Sequence, residues 1–256
     1  MVVDRTGEAV PLRSRAAAGL LRGCAVVSLS EPEILGLSRF VRPGDVCLDI
    51  GAGYGMYTHP LAALVGSRGA VHAFEPLPVP YRILDAGRRA SGARHVITHN
   101  TALGPRAGEL DLALPYRFGL PVHGWAYPRS GLRRPGRRIS FSSERTLRVR
   151  ADTVDAVCAA AGVDRVAFMK IDTEGFEMSV LEGAFEVLAR DRPALLLEVE
   201  DRHLDKYGLS GAEVVGALRS RGYEMRTWRS GRWVPASRAD PRTRNHLFTV
   251  QGALRP

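Results

Sequence analysis

Residues 47–58 read CLDIGAGYGMYT, an apolar run that leads into Asp49 and is followed by three alternating glycines. The turn signal at 43–44 and the apolar residues after it predict a buried strand at 46–50. A glycine-rich turn behind such a strand can hold a dinucleotide, a nucleotide phosphate or a sulfonium cofactor. A phosphate loop is excluded because no Gly-Lys-Ser/Thr follows, and Met56 replaces the third glycine of the dinucleotide fingerprint G-x-G-x-x-G. The spacing Asp-x-Gly-x-Gly-x-Gly is instead typical of the turn that binds S-adenosylmethionine (SAM).

The length and composition indicate one globular domain in a reducing compartment. A chain of 256 residues, of which 45% are hydrophobic, can fill a sizeable core. We expect no membrane span, and the apolar patch at 16–21 is interpreted as part of a leading helix. Cys24, Cys47 and Cys158 are widely spaced in apolar segments, which favours reduced, buried thiols and a cytoplasmic location.

Basic residues are concentrated in one segment of the chain. The formal net charge is +9, and because Lys170 and Lys206 are the only lysines, 34 of the 36 basic residues are arginine. Residues 112–150 contain nine arginines and one acid, Glu144, which is a net charge of +8. Such a segment attracts anionic partners, so an anionic substrate is one expectation. The alternative is a solvated loop whose arginines bind nothing specific.

Strands alternate with helices along the chain. The predicted strands are 46–50, 70–74, 95–100, 110–114, 166–171 and 194–199, with a final hairpin-like pair at 222–228 and 246–250, and the predicted helices are 55–65, 79–90, 153–161, 176–189 and 210–219. Strands that are apolar on both faces favour a largely parallel sheet covered by helices. We therefore expect a helical N-terminal segment, 1–42, before one α/β domain, 43–256. The irregular stretch 115–145 is predicted to be an insertion or lid.

Polar or glycine residues follow five successive predicted strands. They are Asp49 with 51–55, then Glu75, Asn100, 172–175 and 198–201. Ligands of doubly wound sheets bind at the carboxyl ends of the strands, where these residues meet. Asp49 can accept hydrogen bonds from the methionine ammonium of SAM, and Glu75 can accept both ribose hydroxyls. An acid at position 75 suits NAD equally well, but the glycine spacing favours SAM.

The stretch 170–184, KIDTEGFEMSVLEGA, resembles the signature of the FkbM-type methyltransferases, SAM-dependent enzymes associated mostly with O-methylation. The D-I-G-A-x-x-G-x-Y-T loop of that family is similar to 49–58, with Gly53 at a position that is commonly asparagine. Five further steps match in the family order: A-F-E-P at 73–76, N-x-A-L-G at 100–104, D-T-V-D at 152–155 with Val154 for the usual leucine, P-x-L-L-x-E at 193–198 and N-x-L-F at 245–248. The resemblance covers about 44–250 and is poor at 115–145.

The resemblance implies a Rossmann-like α/β fold, the seven-stranded class I methyltransferase sheet with helices on both faces and, here, a long Arg-rich insertion. It also implies SAM as cofactor. The expected cofactor-binding residues are Asp49, Gly51, Ala52, Gly53, Tyr54, Gly55, Tyr57, Thr58, Glu75, Pro76, Asn100 and Asp172. The expected acceptor-binding residues are His123, Trp125 and Glu198.

Methyl transfer to a hydroxyl requires a base or a metal ion, because an alcohol is a very weak acid. The candidate catalytic residues are Asp172 and Glu174, after the predicted strand 166–171, and His203, after the predicted strand 194–199. Asp172 could instead hold Mg²⁺ together with Glu198, since this ion prefers oxygen ligands. The alternative is structural: Asp172 and Glu174 would cap the next helix, Glu177 would lie on its exposed first turn, and Lys170 would form a salt bridge.

Three functions are compatible with these patterns. The first is a SAM-dependent O-methyltransferase that acts on a hydroxyl of a small molecule, such as a sugar or a natural product. The second is an RNA methyltransferase that uses the basic insertion, although no RNA-binding module accompanies it. The third is a SAM-binding protein without catalysis, against which the acids at 49, 75, 172 and 174 argue.

Overall fold

The computed structural model describes residues 11–26, 31–133 and 141–250. Strands and helices alternate through the chain, as the sequence predicts. The strands are β1 (Val46–Ile50), β2 (Ala70–Phe74), β3 (Val96–His99), β4 (Ala102–Leu103), β5 (Gly108–Arg117), β6 (Leu120–Pro121), β7 (Tyr127–Pro128), β8 (Ser143–Asp152), β9 (Phe168–Ile171), β10 (Ala194–Glu198), β11 (Tyr223–Arg229), β12 (Arg232–Pro235) and β13 (Asn245–Val250).

The main sheet has the order β3-β2-β1-β9-β10-β13-β11-β12. The five strands from β3 to β10 are parallel, and β13 then pairs antiparallel with both β10 and β11. The Rossmann-like α/β fold is thereby confirmed. Within the described residues this sheet has eight strands rather than the expected seven, because β12 folds back on β11 as a hairpin.

A second, smaller sheet is built from β4, β8, β5 and β6, with β7 also paired to β5. The ten-residue strands β5 and β8 pair antiparallel from Gly108 opposite Ala151 to Tyr116 opposite Ser143. The interpretation of 115–145 as an irregular loop is therefore wrong at both ends, whereas 134–140 lies outside the described residues. Leu147 and Val149 alternate with exposed arginines, so one face of β8 packs on apolar residues of β5. Because arginines dominate the segment, this alternation of apolar and exposed residues is hard to recognise in the sequence.

The helices are close to those predicted. They are α1 (Leu12–Val26), α2 (Thr58–Val65), α3 (Pro78–Ser91), α4 (Val154–Ala160), α5 (Glu177–Glu182), α6 (Phe185–Asp191), α7 (Asp201–Leu204) and α8 (Gly211–Ser220), with short 3-10 helices at Pro32–Arg39, His123–Trp125 and Asp205–Tyr207. The single helix predicted at 176–189 is in fact two, because the chain turns at Gly183, which packs closely on the backbone of Gly104. The helix predicted at 210–219 is confirmed, and Ser210 and Glu213 form a capping box at its start.

The core occupies both faces of the main sheet. Leu48 and Ile50 of β1 belong to the cluster on one face, and Cys47 of the same strand belongs to the cluster on the other. This is why the parallel strands are apolar at every position. Cys47 and Cys158 are free and buried, as predicted, and the side chain of Cys24 lies outside the described residues. Among the described helices, none has both the length and the apolar character that crossing a membrane requires.

Candidate active site

A cavity of about 350 Å³ opens at the carboxyl ends of β1, β2, β9 and β10. The register of the parallel strands aligns these ends: Ile50 lies opposite both Phe74 and Ile171. The residues that follow, predicted to converge from sequence, therefore line one cavity. The opposite wall is contributed by the second sheet and its connections: β5, β7 and residues between these two strands line the cavity on this side.

The glycine turn after β1 brings bare backbone to this cavity. Gly51 has a φ of 79°, and a Cβ there would lie 1.8 Å from the carbonyl oxygen of Asp172, so only glycine lets β1 and β9 end this close together. Gly53 also has a positive φ, 54°, but a Cβ there would meet no atom within 4 Å. Gly53 thus leaves room for a ligand next to its backbone.

Glu75, at the end of β2, is buried and held by two backbone N–H groups. Gly53 donates to its Oε2 at 2.9 Å and Leu77 donates to its Oε1 at 2.8 Å. Burial raises the pKa of Glu75 to about 7 despite these bonds. Glu75 lines the cavity, and each of its carboxylate oxygens can accept a second hydrogen bond. The two oxygens can therefore accept two adjacent hydroxyls such as those of a ribose.

Asp49 lies below the glycine turn, almost fully buried. Thr58, at the start of α2, donates its hydroxyl to Oδ2 of Asp49 at 2.5 Å. Burial raises the pKa of Asp49 to about 6, although the Thr58 hydrogen bond and the charge of Lys170 act against it. The carboxyl group borders the cavity, so an ammonium group bound there would favour its ionised form.

Lys170 and Asp172 form a buried ion pair at the end of β9. Nζ of Lys170 donates to Oδ2 of Asp172 and to Oδ1 of Asn245, both at 2.9 Å. Burial acts to raise the pKa of Asp172, but the ammonium beside it holds that pKa below its usual value. The structural interpretation of Lys170 as a salt-bridge partner is therefore confirmed, and it keeps Asp172 ionised at the cavity.

Glu31 connects the N-terminal segment to this ion pair. Its Oε2 accepts from the hydroxyl of Tyr57 and from Nδ2 of Asn245, each at 2.6 Å. Lys170 lies 5.1 Å from the centre of the Tyr57 ring. Glu31 lines the cavity, yet the sequence contains no motif that would have singled it out.

Glu174, Glu198 and His203 form a second buried group beside Asp172. Nδ1 of His203 lies 2.6 Å from Oε2 of Glu174, but the two atoms are not aligned for a hydrogen bond. Burial raises the pKa of Glu198 to about 10, and the neighbouring carboxylates of Asp172 and Glu174 add to the shift. Arg244 lies 3.3 Å from Oε1 of Glu198. The predicted catalytic residues are thus brought together in space.

The helix after β9 is not capped by Asp172 or Glu174, so that alternative interpretation is wrong. Glu177 is buried rather than exposed, and its Oε1 accepts from the backbone N–H of Thr173 and of Gly175 at 3.0 and 3.1 Å. Glu177 therefore holds the turn between β9 and α5 in place. This leaves Asp172 and Glu174 free to face the cavity.

The insertion contacts the glycine turn after β1 where both line the cavity. The hydroxyl of Tyr54 lies 3.0 Å from Nδ1 of His123, and both residues line the cavity. Most of the wall contributed by the insertion and the residues before it is apolar: Leu103, Leu110, Leu112, Ala126 and Pro128. Leu103 belongs to the N-x-A-L-G step, whereas the other four are not part of any motif; the alternation of Leu110 and Leu112 on β5 could have indicated these two.

Five residues predicted for the site do not line the cavity: Gly55, Thr58, Asn100, Trp125 and His203. Three of them, Thr58, Asn100 and His203, contact residues that do. Thr58 holds Asp49, and Asn100 donates to the carbonyl oxygens of Glu75 and Pro76, both at 2.9 Å. Trp125 packs 5.5 Å from the ring of His203, which itself lies against Glu174.

The remaining predicted residues line the cavity, and so do others that sequence reasoning missed. The predicted residues that line it are Asp49, Gly51, Ala52, Gly53, Tyr54, Tyr57, Glu75, Pro76, His123, Asp172, Glu174 and Glu198, and their roles stay predictions. The missed ones include Glu31, Thr173, Phe176 and Arg244. Arg244 directly precedes the N-x-L-F step, but only the pairing of β13 with β10 brings it to Glu198.

The strand order, the glycine turn after β1 and the acid at the end of β2 define a class I SAM-dependent methyltransferase fold. Residues 49–225 match the methyltransferase FkbM domain, so the chain belongs to the FkbM methyltransferase family. It is 30% identical over 205 residues to 31-O-demethyl-FK506 methyltransferase FkbM of Streptomyces tacrolimicus. The match covers 72% of this chain and 75% of that protein.

Two solved structures are similar to this chain to different degrees. The crystal structure of methyltransferase FkbM from Methylobacillus flagellatus KT matches with a TM-score of 0.52 and 17% identity. The match covers 84% of this chain but only 45% of that one, so this chain spans less than half of that protein. Aeropyrum pernix fibrillarin, crystallised with natively bound SAM, has a TM-score of 0.46 and 16% identity over 92% of this chain and 74% of its own.

Proposed function

We propose that this chain transfers a methyl group from SAM to a hydroxyl of a small, neutral molecule. The observation that carries the proposal is that three acids, Asp172, Glu174 and Glu198, line the same cavity as Glu75 and the glycine turn. A cofactor seated on the turn would therefore lie beside groups able to activate an acceptor oxygen. The curated relative carries O-demethyl in its name, which supports oxygen as the acceptor atom.

The residues of the turn fit SAM by their chemistry. The backbone at Gly53 offers open space, Glu75 offers two acceptors for a ribose, and Asp49 offers a carboxylate for an ammonium group. When bound, SAM supplies an electrophilic methyl group on a sulfonium. The task of this chain is then to position the acceptor and take its proton.

Asp172 is the residue we assign to proton acceptance. It lies at the cavity, and the Lys170 ammonium keeps it ionised at neutral pH, whereas burial leaves Glu198 protonated there. A carboxylate with a lowered pKa is a weak base for an alcohol, so the proton must leave as the methyl group is transferred. Asp172 alone therefore accounts for only part of the activation.

The acceptor pocket favours a neutral molecule over an anionic one. The wall from the insertion is apolar, and the acids that line the cavity outnumber its cations, Lys170 and Arg244. Two arginines of the second sheet are paired within it, Arg129 with Glu144 and Arg148 with Asp111. This distribution supports an apolar, hydroxyl-bearing acceptor such as a natural product.

Calorimetry and a methylation assay test the proposal. Calorimetry should show binding of SAM and of its demethylated product but not of NADH, and mass spectrometry should find an added methyl on oxygen of a hydroxyl-bearing acceptor. Asp172→Asn should lower turnover by about 100-fold or more while SAM affinity stays within about threefold. Glu186→Gln, a change at an exposed acid on α6, is the matched control and should alter neither.

Several outcomes would overturn it. Preference for NADH, or no binding of SAM, would exclude the cofactor. Methylation of RNA without activity on small hydroxyls would favour the second function, and SAM binding without any transfer would favour the third. A collapse of SAM affinity in Asp172→Asn would place this residue in the cofactor site instead.

A further inference from the structure

We propose that Glu174, Glu198 and His203 form a binding site for a divalent transition-metal cation at the floor of the cavity. The inference rests on the proposed function in one respect, since the cation would act on the same acceptor hydroxyl. Each side chain comes from a different element: Glu174 from the turn after β9, Glu198 from the end of β10 and His203 from α7.

The three side chains each bring one possible ligand atom, and these atoms all lie within 4.8 Å of one another. Around one small cation, ligand atoms are about 3 Å apart when adjacent and about 4 Å apart when opposite, given metal–ligand distances of about 2.1 Å. Nδ1 of His203 and Oε2 of Glu174 are already 2.6 Å apart without hydrogen-bond geometry. Only small side-chain movements would be needed to seat a cation.

Each of the three side chains also has a buried polar atom without a hydrogen-bond partner in the described structure: Oε2 of Glu174, Oε2 of Glu198 and Nε2 of His203. The residues are only 8%, 4% and 2% exposed, respectively. A buried polar atom that has lost water and gained no partner is costly, and a shared cation would satisfy the two carboxylate oxygens.

Neighbouring buried acids of the cavity do not share this property. Both oxygens of Glu75 accept backbone N–H groups, Asp49 accepts from Thr58, and Asp172 accepts from Lys170. Glu177 beside the trio also has an unpartnered Oε2, so the trio is distinguished by the convergence of its three possible ligand atoms.

The backbone is arranged to bring the trio together. Glu174 has a φ of 58°, a left-handed conformation that is rare outside glycine and is frequent where a functional site imposes it. A Cβ at Gly175 would lie 2.4 Å from the carbonyl oxygen of His203, so glycine allows α7 to pack against the β9 turn. Lys206 donates to the carbonyl oxygen of Glu174 at 3.0 Å and to Nδ1 of His203 at 3.3 Å, which ties α7 to the turn after β9.

The donor set selects the kind of cation. Two carboxylates and an imidazole suit Mn²⁺, Fe²⁺ or Zn²⁺, whereas Mg²⁺ prefers oxygen ligands alone. This differs from the sequence expectation of Mg²⁺ on Asp172 and Glu198, because the structure pairs Asp172 with Lys170 and places His203 beside Glu198. Glu174 and Glu198 line the cavity, so a cation held by them would lie beside the acceptor and would act as a Lewis acid that lowers the pKa of its hydroxyl.

Manganese titration tests the site directly. The full-length protein is freed of metal with a chelator, and Mn²⁺ binding is followed by electron paramagnetic resonance, with calorimetry as a second measurement. We expect one Mn²⁺ per chain, and electron-spin-echo spectra of the bound ion should show coupling to an imidazole nitrogen. Glu198→Gln and His203→Gln should each weaken binding by about tenfold or more, and Glu186→Gln should not change it.

The spectroscopic measurement on the unchanged protein keeps the test valid if either variant fails to fold. No saturable binding of Mn²⁺ or Zn²⁺ up to about 1 mM, the weakest range of protein cation sites, would overturn the proposal. Bound Mn²⁺ without nitrogen coupling would overturn it as well, and so would unchanged affinity in both folded variants.

Failure of this inference can be told apart from failure of the proposed function. SAM binding and methyl transfer that persist undiminished in chelator would remove the cation site and leave the methyltransferase intact. Stoichiometric Mn²⁺ binding with nitrogen coupling, in a protein that does not bind SAM, would support the cation site and overturn the proposed methyltransferase function.

Discussion

Replacing Lys170 by methionine removes the positive charge from the floor of the cavity while preserving most of the side-chain volume. The ammonium is almost fully buried and donates to Asp172 and Asn245, both at 2.9 Å. Breaking a buried ion pair on one side costs about 3–5 kcal/mol, because the remaining charge has no partner. The side chain of Asp172 is 25% exposed at the cavity, so we expect a loss near the lower end, about 3 kcal/mol.

The loss should depend on pH. In the unchanged protein the folded-state pKa of Asp172 is lowered, so the pair stabilises the fold above the unfolded pKa and loses this effect as the pH falls. In Lys170→Met the carboxyl group of Asp172 loses its nearest positive charge and retains only the more distant Arg244, so its pKa should rise. Destabilisation should therefore be largest near about pH 8 and smaller near about pH 5.5, where the carboxyl group begins to be protonated.

Urea denaturation of a double-mutant cycle measures both effects. Combining Lys170→Met with Asp172→Asn should recover about 2 kcal/mol, which is the coupling energy of the pair. Lys206, the other lysine of the chain, is also buried but donates to a carbonyl oxygen, so Lys206→Met should show no such coupling to Asp172. A Lys170–Asp172 coupling below about 0.5 kcal/mol, or equal destabilisation at both pH values, would refute the reasoning.

Three further predictions concern the turn, the N-terminal segment and the ribose acceptor. Gly51→Ala should prevent stable folding, because its Cβ would lie 1.8 Å from a carbonyl oxygen. Gly53→Ala should lower the free energy of unfolding by only about 1 kcal/mol and weaken SAM binding. Equal melting temperatures of the two variants would contradict this. Glu33 is buried, which raises its pKa to about 7, so the protein should lose up to about 3 kcal/mol of stability between about pH 4 and pH 8, and Glu33→Gln should remove most of this slope in denaturation curves. Glu75→Gln should weaken SAM binding about tenfold or more in calorimetry, because its amide nitrogen must face a backbone N–H of Gly53 or Leu77; unchanged affinity would show that Glu75 does not hold the cofactor.

Much of the site could be predicted because it is written in consecutive residues. The apolar runs at 46–50 and 166–171 each indicate a buried strand, and parallel strands bring their carboxyl ends to one edge. Asp49, Glu75 and Asp172 could therefore be placed together without knowing any long-range contact. The family resemblance added their order and the expectation of SAM.

Other features depend on contacts between distant segments. Glu177 looks like an ordinary first-turn acid of a helix, and only the tertiary structure shows that it is buried under the β9 turn. The many arginines of the insertion obscure the alternation of Leu147 and Val149 with exposed residues, and only the pairing of β5 with β8 shows that these two side chains share one face.

The sequence by itself determined the alternation of strands and helices, the glycine turn and the acids at the strand ends, because local periodicity and backbone preference act within a few residues. Only the tertiary structure decided which polar groups found partners. It paired Lys170 with Asp172, brought Arg244 and Glu31 from distant segments, and left one buried polar atom of each of Glu174, Glu198 and His203 without a hydrogen-bond partner. The physical reason is that burial and hydrogen-bond satisfaction depend on long-range packing, on which spacing along the chain carries no information.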